Sequence, residues 1–133
     1  NINSLPNEVL VLIFSKLNLK SLPIIYSVCK KWYNLSKMIL NQIKNFEIYE
    51  KEEQIDLRII SKLINLERLH FTSYNLKSSD LDLFINISES CKRLKELDLM
   101  NQNQIIDQQL IYIFKNCIYL ENVNLTLCKS LKG

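Results

Sequence analysis

The chain has 133 residues, 47% of them hydrophobic and 23% charged, with a net charge of +3. That length can bury roughly two thirds of the unfolded surface in a real core, while no apolar run approaches the roughly 18 residues needed to cross a membrane, and nothing resembles a signal peptide. The 17 basic residues are spread from Lys16 to Lys132 and not clustered, so they mostly read as a solvated face and not as a nucleic-acid footprint.

Residues 4–40 carry helical patterns throughout. In "SLPNEVLVLIFSKL" Ser4 offers a cap, Pro6 lies near a first turn and Glu8 favours the helix start; Leu10, Ile13, Phe14 and Leu17 follow at helical spacing. After a break at "NLKS", the stretch "LPIIYSVCKKWYNLSKMIL" predicts a second helix. Pro23 is tolerable only in its first turn, which puts the start near Ser21. Val28, Trp32 and Leu35 share one face of it, and Cys29 and Tyr33 widen that face beyond the usual apolar stripe.

Beyond residue 40 the rhythm changes to a repeat. "LERLHF" from Leu66, "LKELDL" from Leu94 and "LENVNL" from Leu120 share one pattern of apolar, two polar, apolar, one polar, apolar, and "IKNFEI" from Ile43 is a fainter copy. Their starts are 23, 28 and 26 residues apart. Between them lie helical patterns at Ile59, Ile60, Leu63 and Ile64, at Leu81, Phe84 and Ile85, and at Leu110, Ile111, Ile113 and Phe114. Ser79 with Asp82 reads as a capping box for the second of these helices, and Asp107 as a cap for the third. In each short segment, as in Leu66, Leu69 and Phe71, three apolar residues point inward. A single strand and helix cannot cover both their faces, so stacking is expected, with parallel strands on a concave side and helices outside.

Several chemistries are excluded by composition. The single glycine is Gly133, so a glycine-rich phosphate loop cannot be built. His70 is the only histidine, it sits in a strand pattern, and no nucleophile motif accompanies it. Cys29, Cys91, Cys117 and Cys128 form no C-x-x-C pair, so neither a metal site nor any other cofactor is expected. Without a secretory signal, disulfides are not expected either. Cys91 and Cys117 lie three residues before Leu94 and Leu120, which predicts a ladder of small packed thiols.

Two resemblances follow from these residues. The C-terminal two thirds resemble the cysteine-containing class of leucine-rich repeats. The N-terminal segment resembles an F-box through Leu5, Pro6, Glu8, Leu10, Ile13, Phe14, Leu17, Val28, Cys29, Lys30 and Trp32, with Pro23 as a departure where that family more often has Leu. The resemblance implies a mixed α and β chain: a three-helix F-box over residues 1–40, then an α/β leucine-rich-repeat solenoid of about four strand-helix coils over residues 41–133. Asn1 at the start and "KSLKG" at the end are expected to mark a segment cut from a longer chain, with the solenoid truncated at its C-terminus. No Gly/Pro/Ser-rich linker occurs around residues 38–45, which fits a packed junction.

The resemblance also implies a function. An F-box has more apolar surface than its own core hides, and a Skp-type adaptor protein completes it; through the adaptor come a cullin and a RING subunit. The chain would then be a non-catalytic receptor of a ubiquitin ligase, cytoplasmic or nuclear, holding an unidentified target protein near the activated thioester. Leu5, Pro6, Leu10, Ile13, Phe14, Leu17, Val28 and Trp32 are its expected adaptor contacts. Its expected target contacts are the outward strand residues Arg68, His70, Glu96, Asp98, Met100, Asn122 and Asn124. Two alternatives stay open at this level: the wide helical face packs within the chain, near Ile43 and Phe46, and the outward strand residues pair only with one another. A plain leucine-rich-repeat scaffold or inhibitor, with the front helices as a cap, is the competing function.

Overall fold

The structure, a computed structural model, describes residues 4–15, 27–49, 57–72 and 74–133. The chain divides into two compact units, Asn1–Gln42 and Ile43–Gly133.

The first unit contains helices α1 (Asn7–Ser15) and α2 (Lys30–Gln42), which pack against each other. Pro6 stands just ahead of α1, and its carbonyl accepts from the N–H groups of Val9 and Leu10, both at 3.1 Å. Pro6 therefore stands immediately beside the first turn, near which the sequence places it. Glu8 is in that turn, where a carboxylate meets the positive end of the helix dipole. The long second helix read from residues 21–40 is interrupted: Ser27 and Val28 are helical, Cys29 is not, and α2 begins at Lys30 with the Cys29 carbonyl accepting from Tyr33 at 2.9 Å. The expected start near Ser21 and the site residue Leu17 lie outside the described residues.

In α2, Leu35, Ile39 and Leu40 are buried, and so is Ser36. Serine is tolerated there because its hydroxyl donates back to the carbonyls of Trp32 at 2.8 Å and Tyr33 at 2.9 Å.

The second unit holds a four-stranded, wholly parallel sheet in the order β1-β2-β3-β4, with β1 (Asn45–Tyr49), β2 (Arg68–Thr72), β3 (Glu96–Asp98) and β4 (Asn122–Asn124). The register follows the sequence repeat: Leu69 pairs with Leu97 and Leu97 with Val123. Parallel strands need long return segments, and these carry a 3-10 helix (Leu57–Lys62), α3 (Leu81–Ser90) and α4 (Asp107–Asn116), stacked in that order. A row of strands and a row of helices thus enclose the apolar residues of the repeat. Leu66, Leu69 and Phe71, then Leu94, Leu97 and Leu99, are almost entirely buried.

The first return segment departs from expectation. Ile59, Ile60 and Leu63 are buried, but the element is 3-10, and Ile64 is exposed in the turn after it. Only residues 50–67 separate β1 from β2, against residues 73–95 and 99–121 in the later intervals. The tighter helix gains more length per residue, about 2.0 Å against 1.5 Å.

Caps also differ from the sequence reading. Asp80, not Ser79, takes the N-cap of α3, and no side-chain cap bond forms. Its carboxylate instead accepts from Lys77 N–H at 2.7 Å while its own N–H donates to the Lys77 carbonyl at 3.0 Å. Ile106 takes the N-cap of α4, so Asp107 is its first residue, and the Asp107 carboxylate accepts from Lys132 N–H at 2.9 Å.

Neighbouring repeats are joined by one recurring device. The Lys44 carbonyl accepts from Glu67 and Arg68, that of Glu67 from Lys95 and Glu96, and that of Lys95 from Glu121 and Asn122, all at 2.8–3.0 Å. Two buried glutamines make a second bridge. Gln102 Oε1 accepts from Leu76 N–H at 2.8 Å and its amide donates to the Tyr74 carbonyl; Gln109 Oε1 accepts from Ile106 N–H at 2.8 Å and its amide donates to the Lys77 carbonyl at 2.9 Å. Both close the loop 74–77 against the loop leading into α4. Gln109→Leu removes the partner of two part-buried backbone groups, the Ile106 N–H and the Lys77 carbonyl, each worth about 1 kcal/mol, so urea unfolding is expected to show a loss of about 1 kcal/mol, whereas the exposed neighbour Gln108→Leu stays within about 0.5 kcal/mol.

Glu67 crosses three repeats by charge, 3.0 Å from Lys95 and 3.9 Å from Lys44. The hydrogen bond from Lys95, aided by the positive charges of Lys95, Lys44 and Arg68, holds its carboxyl below the ordinary value of 4.5. A folded-state pKa below the unfolded one contributes stability above pH 4.5 that is lost as pH falls through the folded value. Glu67→Gln is therefore expected to flatten the acid limb of a stability-against-pH curve while leaving its slope above pH 6 unchanged.

Candidate functional site

No three His, Cys, Asp or Glu side chains gather to hold a metal ion among the described residues, and none of the described helices is long and apolar enough to cross a membrane.

Consider α1 first. From Val9 to Phe14 every residue is apolar, "VLVLIF", and at about 100° per residue such a run cannot face one way. Leu10 and Phe14, four apart, point inward and are buried. The Phe14 ring meets Trp32 of α2 with centroids 4.9 Å apart and planes tilted by 58°, an arrangement that aromatic pairs favour. Val9, Leu12 and Ile13 point the other way and are exposed, Leu12 by 61%. Exposed Pro6 precedes them one turn earlier, and Val28, half exposed, belongs to the same unit.

The sequence-derived adaptor residues therefore separate into two groups. Leu10 and Phe14 are sealed inside the chain and offer no surface to a partner as the unit stands; Trp32 and Leu5 are half-buried; Pro6, Ile13 and Val28 are exposed. Lys31 Nζ lies 3.4 Å from the Leu5 carbonyl and ties the stretch before α1 to α2. The spacing Leu10, Ile13, Phe14, Leu17 reads as a single stripe and hides Val9 and Leu12. The unbroken apolar run was the available signal.

The second surface is the outward side of the sheet. Register places Arg68 beside Glu96 and Glu96 beside Asn122, then His70 beside Asp98 and Asp98 beside Asn124. Most of these side chains are engaged along the sheet. Arg68 Nη1 donates to Asn45 Oδ1 at 3.2 Å and its Nε lies 3.5 Å from Glu96 Oε2; His70 Nε2 lies 2.9 Å from Glu96 Oε1; Thr72 donates to Glu47 at 2.9 Å. Asp98 and Asn124 turn back on the backbone, accepting from Met100 and Thr126 N–H groups at 2.9 and 3.0 Å. Met100, expected on a strand, lies past the end of β3 in the turn, because β3 stops at Asp98 and the Asp98 carboxylate closes that turn. It is exposed, as is Asn122.

The thiols serve the helix row. Cys91 and Cys117 are buried at the C-terminal ends of α3 and α4, each donating its N–H to the carbonyl four residues back, at 2.8 Å. The Cys91 thiol points at the Ile60 and Leu63 carbonyls of the previous repeat, at 3.6 and 3.7 Å, and the Cys117 thiol at the Cys91 carbonyl, at 3.6 Å. Burial, with Cys117 nearby, pushes the Cys91 thiol up to about 12, and burial raises Cys117 as well. Both stay protonated at neutral pH and act as weak donors, not nucleophiles. All four cysteines are free of disulfide bonds.

The two faces of α1 can be told apart by mutation. Leu10→Ala is expected to cost about 2–5 kcal/mol of unfolding free energy, and Leu12→Ser to stay within about 0.5 kcal/mol, read by denaturant melts of the same chain.

Residues 2–40 match the family described as F-box-like. No curated protein matches the chain. The chain thus carries an F-box-like domain at residues 2–40, followed by a unit built on a four-stranded parallel sheet.

Proposed function

We propose that this chain is a non-catalytic substrate receptor of a cullin-type ubiquitin ligase, acting in the cytoplasm or nucleus. Its F-box-like domain docks on a Skp-type adaptor, which bridges to the cullin and its RING subunit. The parallel-sheet unit is read as leucine-rich repeats of the cysteine-containing class and presents a target protein. The single observation that carries this reading is the second apolar face of α1, Val9, Leu12 and Ile13 with Pro6 ahead of them, left exposed after Leu10 and Phe14 have been used inside the unit.

The energetics support a docking role for that face. Removing a Val, Leu or Ile side chain from water is worth about 1.5–3 kcal/mol, so three or four of them outweigh a substantial part of the cost of association. Leu10, Phe14 and Trp32 then contribute by holding α1 at a fixed rotation, so that the exposed residues arrive together. No bond chemistry is asked of this chain. Its work is to raise the local concentration of the target's lysines near the ubiquitin thioester.

On the sheet, Glu96 is shared by Arg68 and His70, so these three side chains are largely engaged with one another. Target contact is assigned to the outward row as a whole, with exposed Met100 and Asn122 its most available members.

Co-expression with a Skp-type adaptor tests the proposal. The wild-type chain is expected to co-purify with the adaptor, and the double variant Leu12→Asp, Ile13→Asp to lose at least about 2 kcal/mol of binding, more than tenfold in affinity. Unchanged capture of that variant would remove the assigned contact. Capture of the adaptor without the cullin would instead assign the chain to an assembly outside ubiquitination.

A further inference from the structure

Among the described residues, one turn recurs three times where a helical segment gives way to a strand. It is closed by Leu66 N–H on the Leu63 carbonyl at 3.0 Å, by Leu94 N–H on the Cys91 carbonyl at 3.2 Å, and by Leu120 N–H on the Cys117 carbonyl at 3.1 Å. The residues that make this bond are buried, Leu120 partly. The turns are locked in a row at both ends. The Cys91 thiol meets the Leu63 carbonyl at 3.7 Å and the Cys117 thiol the Cys91 carbonyl at 3.6 Å, which joins their starts. Just past their ends the Glu67 carbonyl accepts from Lys95 N–H and the Lys95 carbonyl from Glu121 N–H, both at 2.8 Å.

The two central residues of such a turn point away from the core, and Gly, Pro, Asn, Asp and Ser suit them. Here they are Ile64-Asn65, Lys92-Arg93 and Ile118-Tyr119. Ile64 is 48% exposed, Ile118 75% and Tyr119 59%, and Lys92 and Arg93 are exposed as well. The exposure follows from the turn itself, because the middle tip has a repeat on either side and is just as open. Large apolar side chains at these tips add nothing to the core, which Leu66, Leu94 and Leu120 already close from behind, so they mark a contact surface.

The charge around the tips is mainly positive. Lys62 precedes the first tip and Lys115 the third, both in the last turn of their helical segments. Lys92 Nζ rests on the uncharged Ser88 carbonyl at 2.9 Å and so keeps its charge for an outside partner. The Glu67 carboxylate is already held by Lys95 at 3.0 Å and Lys44 at 3.9 Å, which leaves Glu89 and Glu121 as the carboxylates facing Lys62, Lys92, Arg93 and Lys115.

We propose that this row of turn tips docks on the headgroup surface of an anionic lipid bilayer. Ile64, Ile118 and Tyr119 enter the boundary between headgroups and acyl chains, and Lys92 and Arg93 pair with lipid phosphates. Shape and chemistry both select this occupant. A row of tips is convex, and a fluid interface closes around projecting side chains without the matching wall that a folded partner has to supply. Tyrosine is at home at headgroup level, the isoleucines just below it, and long basic side chains reach back to the phosphates. Such docking is peripheral and needs no spanning helix. It rests on the turns of the second unit alone and is independent of adaptor binding.

Co-sedimentation of the full chain with vesicles tests it, using phosphatidylcholine alone or with about one third phosphatidylserine. Three variants accompany the wild type: Ile118→Ser with Tyr119→Ser, Lys92→Gln with Arg93→Gln, and Ile111→Ser, an exposed apolar position outside the turns that controls for general stickiness. Denaturant midpoints are measured on all of them, and where one double variant fails to fold the other decides. The wild type is expected to bind the anionic vesicles at least about tenfold more tightly than the neutral ones. Each double variant is expected to lose at least about fivefold, the charge variant also losing most of the salt dependence, while Ile111→Ser binds as the wild type does. Equal binding to both vesicle types, or none, overturns the proposal, as does a folded double variant that binds normally or an Ile111→Ser that loses as much. Binding to soluble polyglutamate as tight as to the vesicles overturns it too, and assigns the row to an acidic protein.

Discussion

The second unit depends on one constraint: a strand and a helix joined by short turns have too little volume to hide their own apolar residues. Each repeat therefore needs a neighbour on either side, and the inward triplet is its means of attachment. Leu69 and Leu97 face each other across a parallel ladder while Leu66 and Leu94 close the corner beneath them, so burial is shared between repeats instead of completed within one. The same constraint explains the parallel sheet. Repeats translated along an axis present strands that all run the same way, and the segment returning to the next strand must cross the whole layer, which is where the helices form.

Polar groups at the corners decide whether such stacking is affordable. Every turn out of a strand or a helix exposes N–H and C=O groups, and here those corners lie against the next repeat, away from water. The structure satisfies several of them with side chains. Cysteine thiols reach the carbonyls at the ends of the preceding helical segments, and two glutamine amides bridge from one loop to the next. No buried side-chain nitrogen or oxygen is left without a partner among the described residues. That thiols stay protonated there is a consequence of burial, and it makes them useful as weak donors and useless as nucleophiles.

How much of this was legible depended on whether the signal was periodic. The triplets spell out the strands and their inward residues, because alternation within a strand leaves little freedom once one face is buried; Leu69 with Phe71 and Leu97 with Leu99 are direct cases. The cysteine ladder was visible for the same reason, as two residues in the same place of successive repeats. Gln102 and Gln109 were not visible, since a glutamine in a polar stretch looks like any solvated residue until the loop it bridges is known. The caps of α3 and α4 were misplaced by one residue, because Asp80 and Asp107 serve turn and tail contacts that local spacing does not encode. In α1, composition held the information and periodicity hid it: a stripe chosen at Leu10, Ile13 and Phe14 made the remaining apolar residues look incidental.

The exposed apolar surfaces of α1 and α4 differ in origin, and the difference bears on what each can do. On α4 the exposed Ile111 and Phe114 stand at the positions that Ile85 and Ser88 hold in α3, the helix that packs against α4. On α1 no such series exists. Its inner face is satisfied by Trp32 and the core of its own unit, and the outer face repeats nothing found elsewhere in the described chain. A helix that is apolar all round is stable only when something covers its second side, and three large aliphatic side chains kept in water at one spot cost solubility without strengthening the fold they belong to. Leu10 and Phe14, buried on the opposite side, keep that face turned outward, which is the feature the proposed docking role uses.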